Sequence, residues 1–343
     1  MSSPLTLKVI DEEMSKSLVA TAAVHHPSYL VDRHGASRRV RGSLLCRVRP
    51  GAPGRMILAT VLHLSAVPTV PIAPGVNQPL LNFGFQQNHS DAIKLGVRGI
   101  DTANVYGDPQ QQEVGRAVRE SGIPRDEFFI TSKIPCCPGK DFTGDADNCN
   151  YTRNATDDAQ HDFDMLGLDY VDLMLMHWPC DDPADTLAVY RTLEALQQSG
   201  KARAIGVSNF NSSALKMLHA ADLKVRPVVD QCGYSIAGHT DPQWGRDDAS
   251  RDYCFSEHCT FTAYSPLGGW AKGGTSHVLN DPTVVAVAAA HNRSTAQVAL
   301  RWVVQQGIIA VTSSDKLDHI ASDLEVFDFQ LTDEEMQELA KLE

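Results

Sequence analysis

The chain lacks several features that would place it in other classes of protein. No apolar run reaches the roughly eighteen residues that a membrane-spanning helix needs, so no span is predicted. The eight cysteines include no paired CxxC motifs of the kind that hold zinc. We therefore predict no metal at Cys254, His258 and Cys259, and we interpret the cysteines as free thiols. The net charge of −12 argues against nucleic acid as a partner.

Motifs of three other enzyme classes are also absent. No strand is followed by G-x-G-x-x-G, which a doubly wound dinucleotide-binding sheet usually carries. No tyrosine is followed four positions later by lysine, as a short-chain dehydrogenase would require. No G-x-S-x-G marks a serine hydrolase. A site of another kind is therefore needed if the chain is an enzyme.

The first 67 residues differ in charge from the rest of the chain. They carry nine Lys and Arg against four Asp and Glu, and no acidic residue occurs from Arg33 to Ser90. The apolar stretch Met56–Val67 has about the length of a signal-peptide core. Three interpretations stay open: an organelle-targeting presequence, a secretory signal beginning at Met56, or a disordered extension without function. We divide the chain into an N-terminal extension at residues 1–67 and a folded domain at residues 68–343.

The compartment follows from how that extension is interpreted. We predict a cytoplasmic protein, and the alternative is an organelle or secretory route through residues 1–67. Five Asn-x-Ser/Thr sequons would matter only on the secretory route. They begin at Asn88, Asn150, Asn154, Asn211 and Asn292. Asn211 follows directly on a predicted strand and is more simply a helix-capping residue.

From about residue 68 onward, short apolar runs alternate with amphipathic segments. Most runs are rich in bulky apolar residues without alternation, which is typical of parallel strands buried on both faces. Eight strands, each followed by a helix, predict an α/β fold of the closed (β/α)8 or TIM barrel type. The predicted strands are Leu80–Phe85, Gly99–Ala103, Phe128–Ile134, Val171–Trp178, Ala204–Phe210, Pro227–Tyr234, Cys259–Pro266 and Ile308–Thr312. The clearest helical patterns are Glu113–Ser121, Asp185–Ser199, Thr295–Gln306 and Asp333–Leu342.

Polar side chains follow six consecutive predicted strands. In such barrels the active site lies at the C-terminal ends of the strands. Polar groups that end buried apolar strands are costly unless they are paired or used, so we predict one site at this mouth. The strand-end residues are Asp101, Tyr106, Lys133, His177, Ser208, Asn209, Gln231, Tyr264 and Ser265.

Four of these residues are suited to deliver a proton. A tyrosine has a reference pKa of about 10, which makes Tyr106 a poor acid near neutrality. The ammonium of Lys133 would lower that pKa, and Asp101 would hold the ammonium in place. His177 would donate a hydrogen bond to a substrate carbonyl oxygen. Positioned proton transfer supplies about 10²–10⁴ in rate, and a hydride donor must supply the rest.

The sequence around these residues resembles the signature blocks of the aldo-keto reductase superfamily. The blocks occur in the right order and at the right spacings over residues 70–343. They are Gly96–Tyr106, Ile130–Lys133, Asp172–Pro179 and Gly206–Phe210. The positions that match the family's catalytic tetrad are Asp101, Tyr106, Lys133 and His177. The resemblance implies an oxidoreductase that reduces an aldehyde or ketone to an alcohol with NAD(P)H, with Tyr106 as the general acid.

The resemblance also assigns residues to the cofactor. It implies that Ser208, Asn209 and Gln231 hold the nicotinamide carboxamide and that Tyr264 stacks on the ring. Ser265 and Leu267 would line the pyrophosphate. Asp230 precedes Gln231, where the family commonly has Asn.

The chain departs from the family near its last strand. Ser313 stands where the family has the lysine that contacts the 2′-phosphate of NADPH, and His319 stands at the usual arginine position. We expect Lys316 to substitute as the cation that a phosphate prefers, beside Ser314. We therefore predict NADPH, with NADH as the alternative.

A second hypothesis keeps the barrel and the nucleotide but not the enzyme. Some members of the family resemble regulatory subunits with little turnover, and the complete tetrad argues against this for the present chain. As partners we predict a small-molecule carbonyl substrate, no nucleic acid and no membrane-spanning segment, and we predict a monomer. The loops that would select the substrate, Pro135–Asp157 and Ser235–Asp247, contain no motif that identifies it.

Overall fold

The computed structural model describes residues 67–84, 88–136, 154–269 and 273–342, together with two short strands nearer the N-terminus. The chain forms two compact units, Met1–His63 and Leu64–Glu343. In the first unit, β1 (Leu30–Val31) pairs antiparallel with β2 (Ser37–Arg38). Apart from these two strands, residues 1–66 lie outside the described residues. The prediction of a poorly ordered extension, and the interpretations of the Met56–Val67 stretch up to residue 66, concern this part of the chain.

The second unit opens with an antiparallel hairpin that the sequence analysis missed. Its strands are β3 (Thr69–Ala73) and β4 (Val76–Pro79), and Gly75 turns between them at a φ of 73°. Ile72 and Val76 pack in one buried cluster with apolar residues of the barrel strands, which include Phe129, Val229 and Ile309 at the starts of β7, β10 and β14. The hairpin thus contributes to the core at the end of the barrel opposite the predicted site.

Eight parallel strands close into a barrel, as predicted. Around the barrel they are β5 (Leu81–Phe83), β6 (Gly99–Asp101), β7 (Phe129–Ile134), β8 (Val171–Met176), β9 (Ala202–Ser208), β10 (Val229–Gly233), β13 (Thr260–Tyr264) and β14 (Ile309–Thr312), which pairs with β5. Where both are described, predicted and observed ends agree to within two residues. A small antiparallel pair, β11 (Thr240–Asp241) and β12 (Arg246–Asp247), lies in the loop after β10.

Helices surround the barrel and bury their apolar faces against it. They are α1 (His89–Lys94), α2 (Asp108–Glu120), α3 (Ala155–Leu166), α4 (Pro183–Gln198), α5 (Ser212–His219), α6 (Asp248–Ser256), α7 (Gly274–Asn280), α8 (Pro282–His291), α9 (Thr295–Gln305), α10 (Leu317–Leu324) and α11 (Asp333–Leu339). The sequon residues Asn154 and Asn211 cap α3 and α5 through their side chains, as was expected for Asn211. Among the described helices, none is both long and apolar enough to cross a membrane.

One pair of cysteines contradicts the free-thiol interpretation. Cys136 follows β7 and Cys180 follows β8, and the two form a disulfide. Because β7 and β8 are parallel neighbours, the loops after them meet at the same end of the barrel, and this brings the two thiols together. The other described cysteines are the buried free thiols of Cys232, Cys254 and Cys259. In the described ranges, no group of three or more His, Cys, Asp or Glu side chains is arranged to hold a metal ion.

We expect Cys180→Ser to lower the free energy of unfolding by about 4 kcal/mol. The bond joins cysteines 44 residues apart, and closing a loop of that length removes entropy from the unfolded chain. Urea denaturation of wild type with and without a thiol reductant should show the same loss on reduction. The Cys180→Ser variant is the control, since a reductant should not change its stability. Equal stability of oxidised and reduced wild type would contradict the expectation.

Candidate active site

The four predicted catalytic residues lie together at the C-terminal end of the barrel. Asp101 is the last residue of β6, and Lys133 lies one residue before the end of β7. Tyr106 ends a short 3-10 turn after β6, and His177 directly follows β8. The neighbouring strands β6, β7 and β8 are parallel, so their ends project side chains into one mouth. The strand-end rule therefore places these four residues in one site.

Lys133 and Asp101 form a buried ion pair beneath this mouth. Only 1% of Lys133 is exposed, and its ammonium also donates to the backbone carbonyl of Thr102 at 3.0 Å. The second carboxylate oxygen of Asp101 accepts a hydrogen bond from the Gln231 amide at 2.8 Å. Burial lowers the pKa of Lys133, but Asp101 and Tyr106 outweigh burial and leave the pKa above its usual value. Lys133 is therefore a permanent cation at neutral pH.

Tyr106 contacts this cation. The Lys133 nitrogen lies 5.4 Å from the centre of the Tyr106 ring and hydrogen-bonds to the phenol oxygen. Burial raises the pKa of Tyr106, and the charge of Lys133 only partly offsets burial, since Asp101 also raises the pKa. The prediction that Lys133 lowers the pKa of Tyr106 below its usual value is therefore wrong for the protein without bound cofactor. The phenol of Tyr106 is therefore protonated at neutral pH.

His177 is a neutral imidazole beside the phenol. The two rings meet edge to face, with centroids 5.9 Å apart and an interplanar angle of 79°. Burial, and then the charge of Lys133, holds the pKa of His177 well below its ordinary value. A neutral imidazole donates a hydrogen bond without competing with Tyr106 as the acid. The arrangement suits polarisation of a carbonyl oxygen.

A cavity of about 500 Å³ opens above these residues. Lys133 does not line the cavity; it is buried in contact with Asp101 and Tyr106. Predicted residues that line the cavity are Asp101, Tyr106, His177, Ser208, Asn209, Gln231, Tyr264, Ser265, Leu267 and Ser313. Lining residues that sequence reasoning missed are Gly84, Pro266, Gly269, Thr275, Val311 and Thr312. The strand-end rule could have found Gly84 and Thr312, which lie at the ends of β5 and β14, but neither carries an ionisable group.

The cavity wall contains a connected set of polar side chains. The Asn209 amide donates to the backbone carbonyl of His177 at 2.8 Å and accepts from the Tyr264 hydroxyl at 2.8 Å. The Ser208 hydroxyl donates to the backbone carbonyl of Gln231 at 2.6 Å. Asn209 and Ser265 have left-handed backbone, at φ 63° and 50°, which non-glycine residues adopt at a cost. Amides, hydroxyls and an aromatic face held in this way fit the carboxamide and ring of a nicotinamide.

The remaining predicted cofactor residues lie at the start of α10. Lys316 immediately precedes the helix, and its backbone amide donates to the Ser314 hydroxyl at 3.1 Å. His319 lies in the first turn, and both Lys316 and His319 are exposed. These three residues do not line the cavity, which ends at Ser313 on this side. They form a separate group at a helix N-terminus, where backbone amides favour an anion.

Comparison with known proteins identifies the family. The model of the aldo/keto reductase family matches residues 87–343. The chain belongs to this family. It is 35% identical over 292 residues to morphine 6-dehydrogenase of Pseudomonas putida, covering 80% of this chain and 91% of that protein. It is 34% identical over 284 residues to glyoxal reductase of Bacillus subtilis, covering 80% of this chain and 92% of that protein.

Solved structures agree with this assignment. An aldo-keto reductase from a deep-sea metagenome library has a TM-score of 0.68 at 30% identity, covering 80% of this chain and 94% of its own. An aldo-keto reductase of Bombyx mori, solved in complex with NADP, has a TM-score of 0.66 at 28% identity, covering 80% and 92%. This aldo-keto reductase is thus an oxidoreductase that catalyses NAD(P)H-dependent carbonyl reduction. The alternative of a regulatory barrel with little turnover is not favoured.

Proposed function

We propose that this aldo-keto reductase reduces a small aldehyde or ketone with NADPH, and that Tyr106 is the proton donor. The observation that carries the proposal is the buried Asp101–Lys133 ion pair directly beneath a phenol that faces the cavity. The other phenol in the cavity lining, Tyr264, has the charge of Arg246 beside it, but its hydroxyl already donates to the Asn209 amide oxygen at 2.8 Å. The cofactor, when bound, supplies the hydride.

The roles of the four residues follow from their protonation states. His177, being neutral, donates a hydrogen bond to the carbonyl oxygen and orients it. As negative charge develops on that oxygen, Tyr106 transfers its proton to it and the product is an alcohol. The ammonium of Lys133 stabilises the phenolate left behind, and Asp101 keeps that ammonium in place. Hydride and proton together convert C=O to CH–OH.

The cofactor residues divide into two groups. Ser208, Asn209 and Gln231 would hold the carboxamide, with Tyr264 against the nicotinamide ring. The second group would hold the phosphates: Ser265 and Leu267 the pyrophosphate, and Ser313, Ser314, Lys316 and His319 the 2′-phosphate. Support for NADPH comes from the exposed Lys316 cation at the N-terminus of α10, because cationic donors and helix N-termini both favour a phosphate dianion.

We expect Lys316→Ala to raise the Kd for NADPH about 10-fold, since a charged hydrogen bond to phosphate is lost. The Kd for NADH should stay unchanged, because NADH has no 2′-phosphate. Cofactor fluorescence titration measures both constants. Lys341→Ala is the matched control, because that exposed lysine follows α11 and pairs with Glu338. Equal loss for both cofactors, or for neither, would contradict the assignment.

The reaction itself is tested by cofactor oxidation with a panel of simple aldehydes and ketones, run with NADPH and with NADH. We expect turnover with several carbonyl compounds and a higher kcat/KM with NADPH. A folded protein that binds NADPH but oxidises it with no member of the panel would contradict the proposal. The names of two relatives, morphine 6-dehydrogenase and glyoxal reductase, guide the choice of compounds in the panel.

The compartment, the division of the chain and the oligomeric state remain predictions. The cytoplasm and a monomer are the predictions from sequence, with residues 1–67 separate from a barrel at residues 68–343. The Cys136–Cys180 disulfide favours the alternative of an organelle or secretory route, because disulfides persist in oxidising compartments and are rare in the cytosol.

A further inference from the structure

A buried polar cluster lies behind the tetrad, between the barrel and two helices. It consists of Thr102 after β6, Ser132 in β7, Gln111 in α2 and Asp162 in α3, each at most 1% exposed. The Gln111 amide nitrogen donates to Asp162 and lies 3.3 Å from the Ser132 hydroxyl oxygen. The Thr102 hydroxyl donates to the Gln111 amide oxygen. One glutamine side chain thus joins two strands and a helix.

This cluster contacts the catalytic ion pair through the backbone. Thr102 directly follows Asp101, and its carbonyl oxygen accepts the hydrogen bond from Lys133 at 3.0 Å. Ser132 directly precedes Lys133. Since successive side chains of a strand point to opposite faces, Lys133 points into the barrel and Ser132 points outward to the helices. The Gln111 contacts therefore hold the backbone segments that carry both members of the ion pair.

Asp162 is the unusual member of the cluster. Its side chain is fully buried, and its Oδ2 has no hydrogen-bond partner among the described residues. Burial raises its pKa to about 7, against hydrogen bonds from Ser132 and Gln111 and the charges of His161 and Lys133. A buried carboxylate with an unsatisfied oxygen is costly, and packing alone would favour a smaller or less polar residue.

We propose that Asp162 is a positioning residue for the reduction: it holds Gln111, which sets Thr102 and Ser132 and hence the Asp101–Lys133 pair beneath Tyr106. The inference rests on the proposed function of Tyr106. Asp162 does not line the cavity, so its influence passes through the backbone and through its charge.

The ionisation of Asp162 determines whether kcat rises or falls with pH. Asp162 is neutral below about pH 7 and ionised above it. Two charged groups face Asp162: Lys133 from β7 and His161 on the same helix. His161 pairs with Asp108 of α2. Asp158, which is also buried, lies one turn earlier in α3. The charge of Lys133 acts on both Asp162 and the Tyr106 phenol, so an ionised Asp162 would compete with the phenolate for the same cation. We therefore expect kcat to fall roughly threefold to tenfold as pH rises through 7.

Two substitutions at this position separate geometry from charge. Asp162→Ala removes the acceptor for Gln111 and should lower kcat about 10-fold at pH 6, because small displacements of a catalytic group are costly. Asp162→Asn keeps an acceptor oxygen but cannot ionise. It should keep kcat at pH 6 and lose the inflection near pH 7. The Kd for NADPH should stay unchanged in both variants, and Asp164→Ala is the matched control, since Asp164 is exposed on the same helix.

The outcomes separate this inference from the proposed function. Unchanged kcat and an unchanged pH profile in both variants, with Tyr106→Phe inactive, would overturn the role of Asp162 alone. A lower melting temperature with unchanged kcat would do the same, because that is the result of a purely structural role. If Asp162→Ala fails to fold, Asp162→Asn decides, since retention of the inflection near pH 7 overturns the inference. Full turnover by Tyr106→Phe would instead overturn the proposed function.

Discussion

Tyr106→Phe is expected to lower kcat by about 10²–10⁴-fold and to leave the Kd for NADPH unchanged. The substitution removes only the hydroxyl that gives up the proton, and the ring keeps its edge-to-face contact with His177. Stability should change little, because the Lys133 ammonium keeps its bonds to Asp101 and to the Thr102 carbonyl. Steady-state NADPH oxidation and cofactor titration measure the two quantities.

Tyr170→Phe is the matched control for this substitution. Tyr170 immediately precedes β8, at the opposite end of that strand from His177. The guanidinium carbon of Arg125 lies 4.1 Å from the centre of the Tyr170 ring. The same loss of a hydroxyl there should leave kcat unchanged. Turnover near the wild-type rate in Tyr106→Phe would show that another group donates the proton.

Lys133→Met is expected to affect both activity and stability. The methionine retains most of the volume, but Asp101 is left as a buried charge without its partner, at 3% exposure. Removing one member of a buried ion pair costs about 3–5 kcal/mol of unfolding free energy. The phenolate of Tyr106 also loses its nearest cation, so kcat should fall by about 10²-fold or more. Urea denaturation and NADPH oxidation measure the two losses.

The double variant Asp101→Asn with Lys133→Met separates the two losses. Without either charge, no uncompensated ion remains in the interior, and part of the unfolding free energy should return. The amide oxygen of the introduced asparagine can still accept the hydrogen bond that Gln231 donates to Asp101 in the wild type. The kcat should stay low, because the cation is still missing. Recovery of activity together with stability would show that Lys133 acts only through the fold.

Much of the barrel could be predicted because its signals are local. Parallel strands buried on both faces are continuous apolar runs, so Val171–Met176 and Ala202–Ser208 stand out in the sequence. Capping residues such as Ser294 and Thr332 mark helix starts in the same way. The β3–β4 hairpin was missed because its short strands carry proline and polar residues and do not resemble the barrel strands.

In the site, too, the features with local sequence signals could be predicted and the features that depend on packing could not. Asp101, Tyr106, Lys133 and His177 could be placed together because a strand end is a local feature and the barrel brings strand ends to one mouth. The Cys136–Cys180 disulfide could not, since its partners are 44 residues apart and their pairing depends on the neighbouring positions of β7 and β8. The raised pKa of Tyr106 depends on depth of burial, which no spacing of residues reveals.

Asp162 shows the same limit more strongly. In the sequence it is one of four acidic residues in the amphipathic helix α3, where a solvated face is the simplest interpretation. Its role depends on contacts with Gln111 and Ser132 from two other elements, 51 and 30 positions away along the chain. Three-dimensional packing alone separates it from its exposed neighbour Asp164.

A crystal structure of the full-length protein with bound NADP⁺ tests the central claim most directly, through the distance between the Tyr106 oxygen and the Lys133 nitrogen. A phenol that releases its proton beside a fixed ammonium should lie within about 3 Å of it, with the phenol oxygen facing the substrate side of the nicotinamide. Separation of the two atoms by a layer of other side chains, or their placement on opposite rims of the barrel, would contradict the account.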